Sequence, residues 1–214
     1  LKTPLFSFLG YLLTLIEGGV EDESIRDKYL NRINKSVDRL IYLVKDLDMI
    51  SELERDRINI ELTTFNLTAL VQDVIDLLEI KAEKNNIKLT LNYPIHQPIK
   101  VIGDIQKIEQ VLINLIVNAI NYSNPNTEVV IDFDDFDNQI QISIKDQGVG
   151  IKQEDLERVF ERFYRVDKSR NRNNGGSGLG LAIVKHILEA HQQKIYVSSK
   201  VGKGSAFSFY LQKD

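Results

Sequence analysis

Residues 104–123 read DIQKIEQVLINLIVNAINYS, and the fold turns on this stretch. Asp104 is a helix-capping residue type, and Ile108, Val111, Leu112, Leu115 and Ala119 recur at helical spacing, so the run reads as one amphipathic helix closing at Tyr122. Asn114 and Asn118 fall one turn apart and share a face. Two amides on an otherwise apolar helix need partners. Either they bond backbone in a core, or one offers an oxygen to a hard cation such as Mg²⁺ while the other meets a phosphate.

Downstream lie three glycine clusters: Asp146-Gln147-Gly148-Val149-Gly150, Gly176-Ser177-Gly178-Leu179-Gly180 and Gly202-Lys203-Gly204-Ser205. Each falls at the expected end of a strand or helix. Read singly, each is a turn at least as readily as a ligand loop, although the second runs into a helix whose first N–H groups would form an anion site. The Gly-x-x-x-x-Gly-Lys-Ser/Thr loop is absent, and so is the His-Arg-Asp and Asp-Phe-Gly set of protein kinases. A phosphate site here needs another design.

Around these motifs the chain falls into two parts. Leu30, Ile33, Val37, Leu40, Val44 and Leu47 form a heptad seam in a helix expected over 24–55. Leu5, Leu9, Leu12 and Ile16 form a similar stripe in a helix stopped by Gly18-Gly19. Residues 1–55 therefore read as a helical hairpin whose narrow apolar stripe is satisfied by a second copy, which predicts a homodimeric four-helix bundle. The second helix would be about 46 Å long against about 25 Å for the first, so the first should continue upstream of Leu1. Residues 56–214 read as a two-layer α/β sandwich. Its strands are expected at Ile58–Leu62, 87–93, 130–133, 140–144, 195–199 and 205–211, and its helices after Asn66, after Asp104 and over 179–191. The chain as a whole is α+β.

Composition narrows the function. With 31 acidic against 27 basic residues the net charge is −4, which gives no support for nucleic-acid binding. Zero Cys excludes disulfides and Cys nucleophiles and leans toward a reducing, cytoplasmic setting. No apolar run reaches the ~18 residues of a membrane span. The chain opens at Leu1 without a signal peptide, and reads as part of a longer protein whose membrane attachment is left open.

Five ordered motifs resemble those of the sensor histidine kinases of two-component systems. Asn114-Leu-Ile-Val-Asn118-Ala-Ile-Asn-Tyr122-Ser123 is similar to their N box, Asp146-x-Gly148-x-Gly150 to their first glycine box, and Phe160-Glu-Arg-Phe163-Tyr164-Arg165 to their F box. Gly176-x-Gly178-x-Gly180 is similar to the second glycine box, and Leu1-Lys-Thr-Pro-Leu5 to the tail of the H box. The resemblance implies a dimerisation and phosphotransfer hairpin at 1–55 and an ATP-binding catalytic domain at 56–214, of the histidine kinase, gyrase and chaperone ATPase type. It implies ATP as substrate and Mg²⁺ as cofactor. Asp146 would accept from the adenine amino group, and Asn118 would bind Mg²⁺ with Asn114 beside it. Tyr122 and Arg165 would approach the phosphates, and Gly148, Gly150, Gly176, Gly178, Leu179 and Gly180 would bring backbone to the nucleotide. Asn114 and Arg165 would be catalytic, with Thr3 placed for dephosphorylating a partner. That partner would be a response-regulator receiver domain docking near residues 6–13. Between Gly150 and Gly176 would lie an ATP lid, whose stretch 167–176 has no apolar residue and is expected to be mobile without nucleotide. Phe160 and Phe163 would anchor its base.

The chain departs from the pattern twice. The phosphoacceptor histidine would fall two positions before Leu1, and none of His96, His186 and His191 precedes an acid-Leu-Lys-Thr-Pro run, so each is given a packing or solvent role. Asn121 stands where many relatives carry Lys or Arg, with Lys185, Arg170 or Arg172 as substitutes. A superfamily ATPase would need a Glu at the position of Asn114 to activate water, which weighs against hydrolysis as the main activity. A nucleotide-binding and dimerisation module without kinase activity is the other reading, and the intact Asp146, Asn118 and glycine clusters weigh against it.

Overall fold

The computed structural model describes residues 2–54, 59–93, 98–166 and 178–214, with side chains 2–4, 38, 39, 42, 43 and 45–54 excluded. It divides into two compact units, Leu1–Arg55 and Asp56–Asp214.

The first unit is a helical hairpin of α1 (Lys2–Thr14) and α2 (Glu23–Glu54). A π-helical turn, Leu15–Gly19, ends the first arm, with Gly18 at φ +117° where a side chain would be strained. Asp22 starts the second arm: its Oδ1 accepts from the Ser24 and Ile25 N–H groups at 2.9 and 3.3 Å and from the Ser24 hydroxyl. Leu15 is buried, and the Tyr11 and Tyr29 rings meet at 5.5 Å with the Arg32 guanidinium over both. Leu12, Ile33, Val37 and Leu40 are half-buried. Leu5, Leu9 and Ile16 of the expected stripe are exposed, as are Leu30 and Val44 of the α2 seam.

The second unit is a seven-stranded mixed sheet carrying three helices. In chain order it runs β1 (Thr63–Asn66), α3 (Leu67–Lys84), β2 (Ile87–Asn92), β3 (Lys100–Gly103), α4 (Ile105–Tyr122), β4 (Thr127–Asp135), β5 (Gln139–Lys145), α5 (Gly180–Ala190), β6 (Ile195–Lys200) and β7 (Gly204–Lys213). The sheet order is β1-β3-β7-β5-β4-β2, with β6 also on β7. Only β2 and β4 are parallel. Alternation puts Ile131, Phe133, Ile140, Ile142, Ile144, Phe207, Phe209 and Leu211 on the buried face, where cross-strand pairs such as Ile131↔Ile144 and Ile142↔Phe209 stack in register. Against this face α4 buries Ile108, Val111, Leu112, Leu115, Ile116, Ala119 and Ile120.

Side-chain caps fix where the helices begin. Asn66 Oδ1 accepts from the Thr68 and Ala69 N–H groups, and Asp104 Oδ1 accepts from those of Gln106 and Lys107 at 3.1 Å. Asp104 also ties elements together. Its Oδ2 accepts from the Glu61 N–H, and its own N–H donates to His191 Nε2 at 3.0 Å, so the end of α5 is pinned to the start of α4.

One expectation is corrected. The strand expected over 58–62 is not one: residues 59–62 lie outside any strand, Leu62 is exposed, and Ile58 lies outside the described residues. The strand is 63–66, paired antiparallel with the unexpected β3, and four residues each are too few to carry a readable alternation. Among the described residues no helix is long and apolar enough to cross a membrane.

Candidate functional site

The site grows from α4. Because α4 buries its apolar sides against the sheet, Asn114 and Asn118 stay half-buried on the remaining face, and that face meets the start of α5. Asn114 Nδ2 donates to the Gln110 carbonyl at 3.0 Å. Its Oδ1 is turned toward Gly180, 3.1 Å from where a Cβ would stand, with Asn118 Nδ2 4.0 Å from the same point. The two amides of one helix therefore sit at the N-terminus of another. The N-cap residue of α5 is Leu179, whose buried apolar side chain makes no cap bond of its own to this 11-residue helix. A helix N-terminus, where backbone N–H groups favour an anion, thus stands beside two amide side chains.

The loop after β5 supplies the second wall. Asp146 Oδ1 accepts from the Gly148 N–H at 2.9 Å and the Ser205 N–H at 3.2 Å, and among the described residues Oδ2 takes no further bond. Burial raises the Asp146 carboxyl above its ordinary value, and the two N–H bonds only partly oppose this. The group is held in place with one oxygen uncommitted, in surroundings that disfavour its charge. Such a carboxylate gains from a donor on an incoming ligand. Gly148 lies against the end of α4: a Cβ there would fall 2.1 Å from the Tyr122 carbonyl oxygen, so only glycine permits this approach. Val149 N–H donates to the same carbonyl at 3.3 Å, while the Tyr122 side chain is exposed. Gly150, at φ +71°, abuts the Lys200 carbonyl of β6.

The third wall comes from residues 153–166. Phe160 packs edge-on against Phe207 of β7. Phe163, expected as a second anchor, is 63% exposed; its backbone does the anchoring instead, donating to the Gly178 carbonyl at 3.0 Å. Gly178, at φ +79°, lies so close to the Phe163 and Tyr164 backbone that a side chain would collide. Arg165 is half-buried, and among the described residues its guanidinium has no ion pair or hydrogen bond.

Asn114 and Asn118 thus meet Gly180, which Gly178 and Leu179 precede, where α4 meets α5, while Asp146 and Gly148 lie against the end of α4 at Tyr122 and Gly150 against Lys200. Gly176, Arg170, Arg172, His96 and the stretch 167–176 lie outside the described residues, as does the Thr3 side chain. Lys185, weighed as a substitute for Asn121, pairs with Glu189 at 3.9 Å along α5. His191 has the packing role expected of it, through Asp104 and the Ile187 carbonyl. Two features escape a reading by motif: the Ser205 backbone bond to Asp146, and the contacts of Tyr164 with Asp155 and Arg158. The first joins residues 59 apart in sequence and the second joins successive turns, and the aromatic Tyr164 within a charged run was the only signal.

A cation would fit this donor set. Among the described residues no cluster of three or more His, Cys, Asp or Glu offers a metal cage, whereas one or two amide oxygens suit Mg²⁺ when phosphates and water supply the other ligands.

Residues 103–214 match the family described as Histidine kinase-, DNA gyrase B-, and HSP90-like ATPase. Over 213 residues, 99% of the chain, the sequence is 37% identical to the sensor histidine kinase WalK of Bacillus subtilis, of which it covers 34%. The fold matches the Acinetobacter baumannii histidine kinase AdeS at a TM-score of 0.75 and 29% identity, covering 100% of this chain and 96% of that one. It matches the histidine kinase ThkA, solved in complex with the response regulator protein TrrA, at a TM-score of 0.75 and 27% identity, covering 100% of this chain and 58% of that one. The chain spans about a third to a half of the length of the curated relatives it matches.

Proposed function

The chain belongs to the sensor histidine kinases, and on that premise we propose that it is the cytoplasmic kinase core of a longer sensor. In this reading it autophosphorylates from ATP on a histidine just upstream of Leu1 and passes the phosphoryl group to an aspartate of a response regulator. The observation that carries the reading is the meeting of Asn114 and Asn118 with Gly180 at the start of α5.

Asp146 accepts from the adenine amino group, an exocyclic donor that satisfies its uncommitted oxygen. The phosphates lie at the α5 N-terminus, where Gly178, Leu179 and Gly180 bring backbone close. Asn118 offers an amide oxygen to Mg²⁺, which when bound neutralises phosphate charge, and Asn114 and Tyr122 flank it. Arg165 stabilises charge on the γ-phosphoryl group as it leaves. The bond from the γ-phosphorus to the β–γ bridging oxygen breaks as a phosphorus–nitrogen bond to the neutral imidazole forms. ADP departs and the imidazole loses its proton. The receiver carboxylate then attacks the phosphohistidine, restoring the imidazole. Thr3 orients a water for the phosphatase activity, in which that water hydrolyses the receiver's aspartyl phosphate, releasing inorganic phosphate and restoring the carboxylate.

The hairpin pairs with a second copy through its outward apolar stripe to form a four-helix bundle, and the region 6–13 docks the response regulator. The test is incubation with γ-labelled ATP and Mg²⁺ of this chain and of one extended upstream through that histidine. Label confined to the extended chain, lost in acid and kept in alkali, is the expected result. Absence of label on both would overturn the autokinase reading.

A further inference from the structure

One cluster beside the site is not used by the reading above. Asp155 ends a 3₁₀ turn, Gln153–Asp155, and Arg158 starts another, Arg158–Phe160. The Tyr164 hydroxyl donates to Asp155 Oδ1. The Arg158 guanidinium lies over the Tyr164 ring, 4.2 Å from its centroid, and is itself held by Glu161 at 3.4 Å. The ring is therefore fixed at its rim by a carboxylate and on its face by a cation, both from residues in the preceding two turns.

The backbone around the ring is equally constrained. Phe163, with a side chain, stands at φ +63°, a conformation rare outside glycine that persists only where the surroundings enforce it. Its N–H is bonded to the Gly178 carbonyl, and the Tyr164 N–H donates to the Glu161 carbonyl at 3.3 Å. Arg165 follows this fixed residue directly, and among the described residues its guanidinium has no partner of its own. A long side chain with free rotamers loses rotamer entropy when it must settle on a ligand. A rigid attachment point reduces the share lost on binding.

We propose that Tyr164, clamped by Asp155 and Arg158, is a positioning residue that aims Arg165 at the phosphate end of the bound nucleotide. The inference rests on the nucleotide reading above, but assigns a role to three side chains that do not themselves contact the ligand.

The test titrates the 214-residue chain and its Tyr164→Phe, Asp155→Ala, Arg165→Ala and Tyr164→Phe/Arg165→Ala variants with ATP and with adenosine, alongside thermal unfolding. Tyr164→Phe keeps the ring and the cation contact and removes only the hydroxyl. The expected result is ATP binding weakened about fivefold in Tyr164→Phe and in Asp155→Ala, adenosine binding unchanged, and the double variant no weaker than Arg165→Ala alone, since neighbours acting as a unit are non-additive. Equal loss for ATP and adenosine would mark the cluster as scaffolding and overturn the proposal, as would additive losses or unaltered ATP binding in both clamp variants. A parent chain that binds neither ligand would instead overturn the nucleotide reading itself, and the proposal with it.

Discussion

Asp146 carries opposed demands of folding and binding. Burial raises its carboxyl above the ordinary value of 3.8, against the pull of two backbone N–H bonds. Below that ordinary value the folded and unfolded chains are both protonated. As pH rises from there through the raised folded value, the unfolded chain releases its proton first, so this group subtracts stability across that window and the loss persists at neutral pH. Asp146→Asn keeps the oxygen that the Gly148 and Ser205 N–H groups bond and carries no charge. Its thermal midpoint at pH 7 is expected to equal or exceed the parent's, with the difference growing as pH rises through the window. The same change places a donor before the adenine amino group, and calorimetry should show ATP binding weakened at least about tenfold, the loss of a charge-assisted bond. ATP affinity of the parent should fall as pH drops through the raised value, because binding needs the ionised acceptor. Gly148→Ala is expected to cost at least about 1 kcal/mol in denaturant unfolding, because its Cβ would lie 2.1 Å from the Tyr122 oxygen and the α4–β5 junction must shift.

Elements are fixed by caps and stripes, and that governs both their stability and their legibility. Asn66→Ala removes the acceptor for two N–H groups at the start of α3 and should cost about 1 kcal/mol. For a unit of this size that is a fall of roughly 2–4 °C in thermal midpoint. The same caps made α3 and α4 readable in advance: Asn66 and Asp104 stand where the apolar periodicity begins, and α4 ends at Tyr122 as its pattern does. The β4–β5 hairpin was equally plain, since Ile140, Ile142 and Ile144 alternate without interruption. β1 and β3 were not legible, because two four-residue strands find each other across an intervening helix and strand through backbone bonds that leave no periodic mark. At the site, the Asn pair and the glycines could be picked out because their types are unusual on a helix face and at a turn. The Asp155–Tyr164–Arg158 cluster could not, since it depends on how two 3₁₀ turns fold over one another.

At the scale of the molecule, the two units divide the work. The Asp146, Asn114 and Gly180 groups all belong to the unit Asp56–Asp214, while the hairpin unit presents exposed Leu5, Leu9, Ile16, Leu30, Ile41 and Val44. Outward apolar residues along both arms of a two-helix unit are what a second copy would cover. Leu30→Glu with Val44→Glu is therefore expected to shift the chain from dimer to monomer in sedimentation, while ATP binding per chain stays unaltered. The central claim is that the junction of α4, α5 and the loop after β5 is an adenine-nucleotide site. Titration of the parent chain with ATP and with GTP in Mg²⁺ tests it most directly. The account predicts that ATP binds and that GTP binds at least about tenfold more weakly, a difference of ~1.4 kcal/mol, because guanine sets a carbonyl oxygen against the Asp146 carboxylate. Equal affinity for the two nucleotides, or binding of neither, would contradict it.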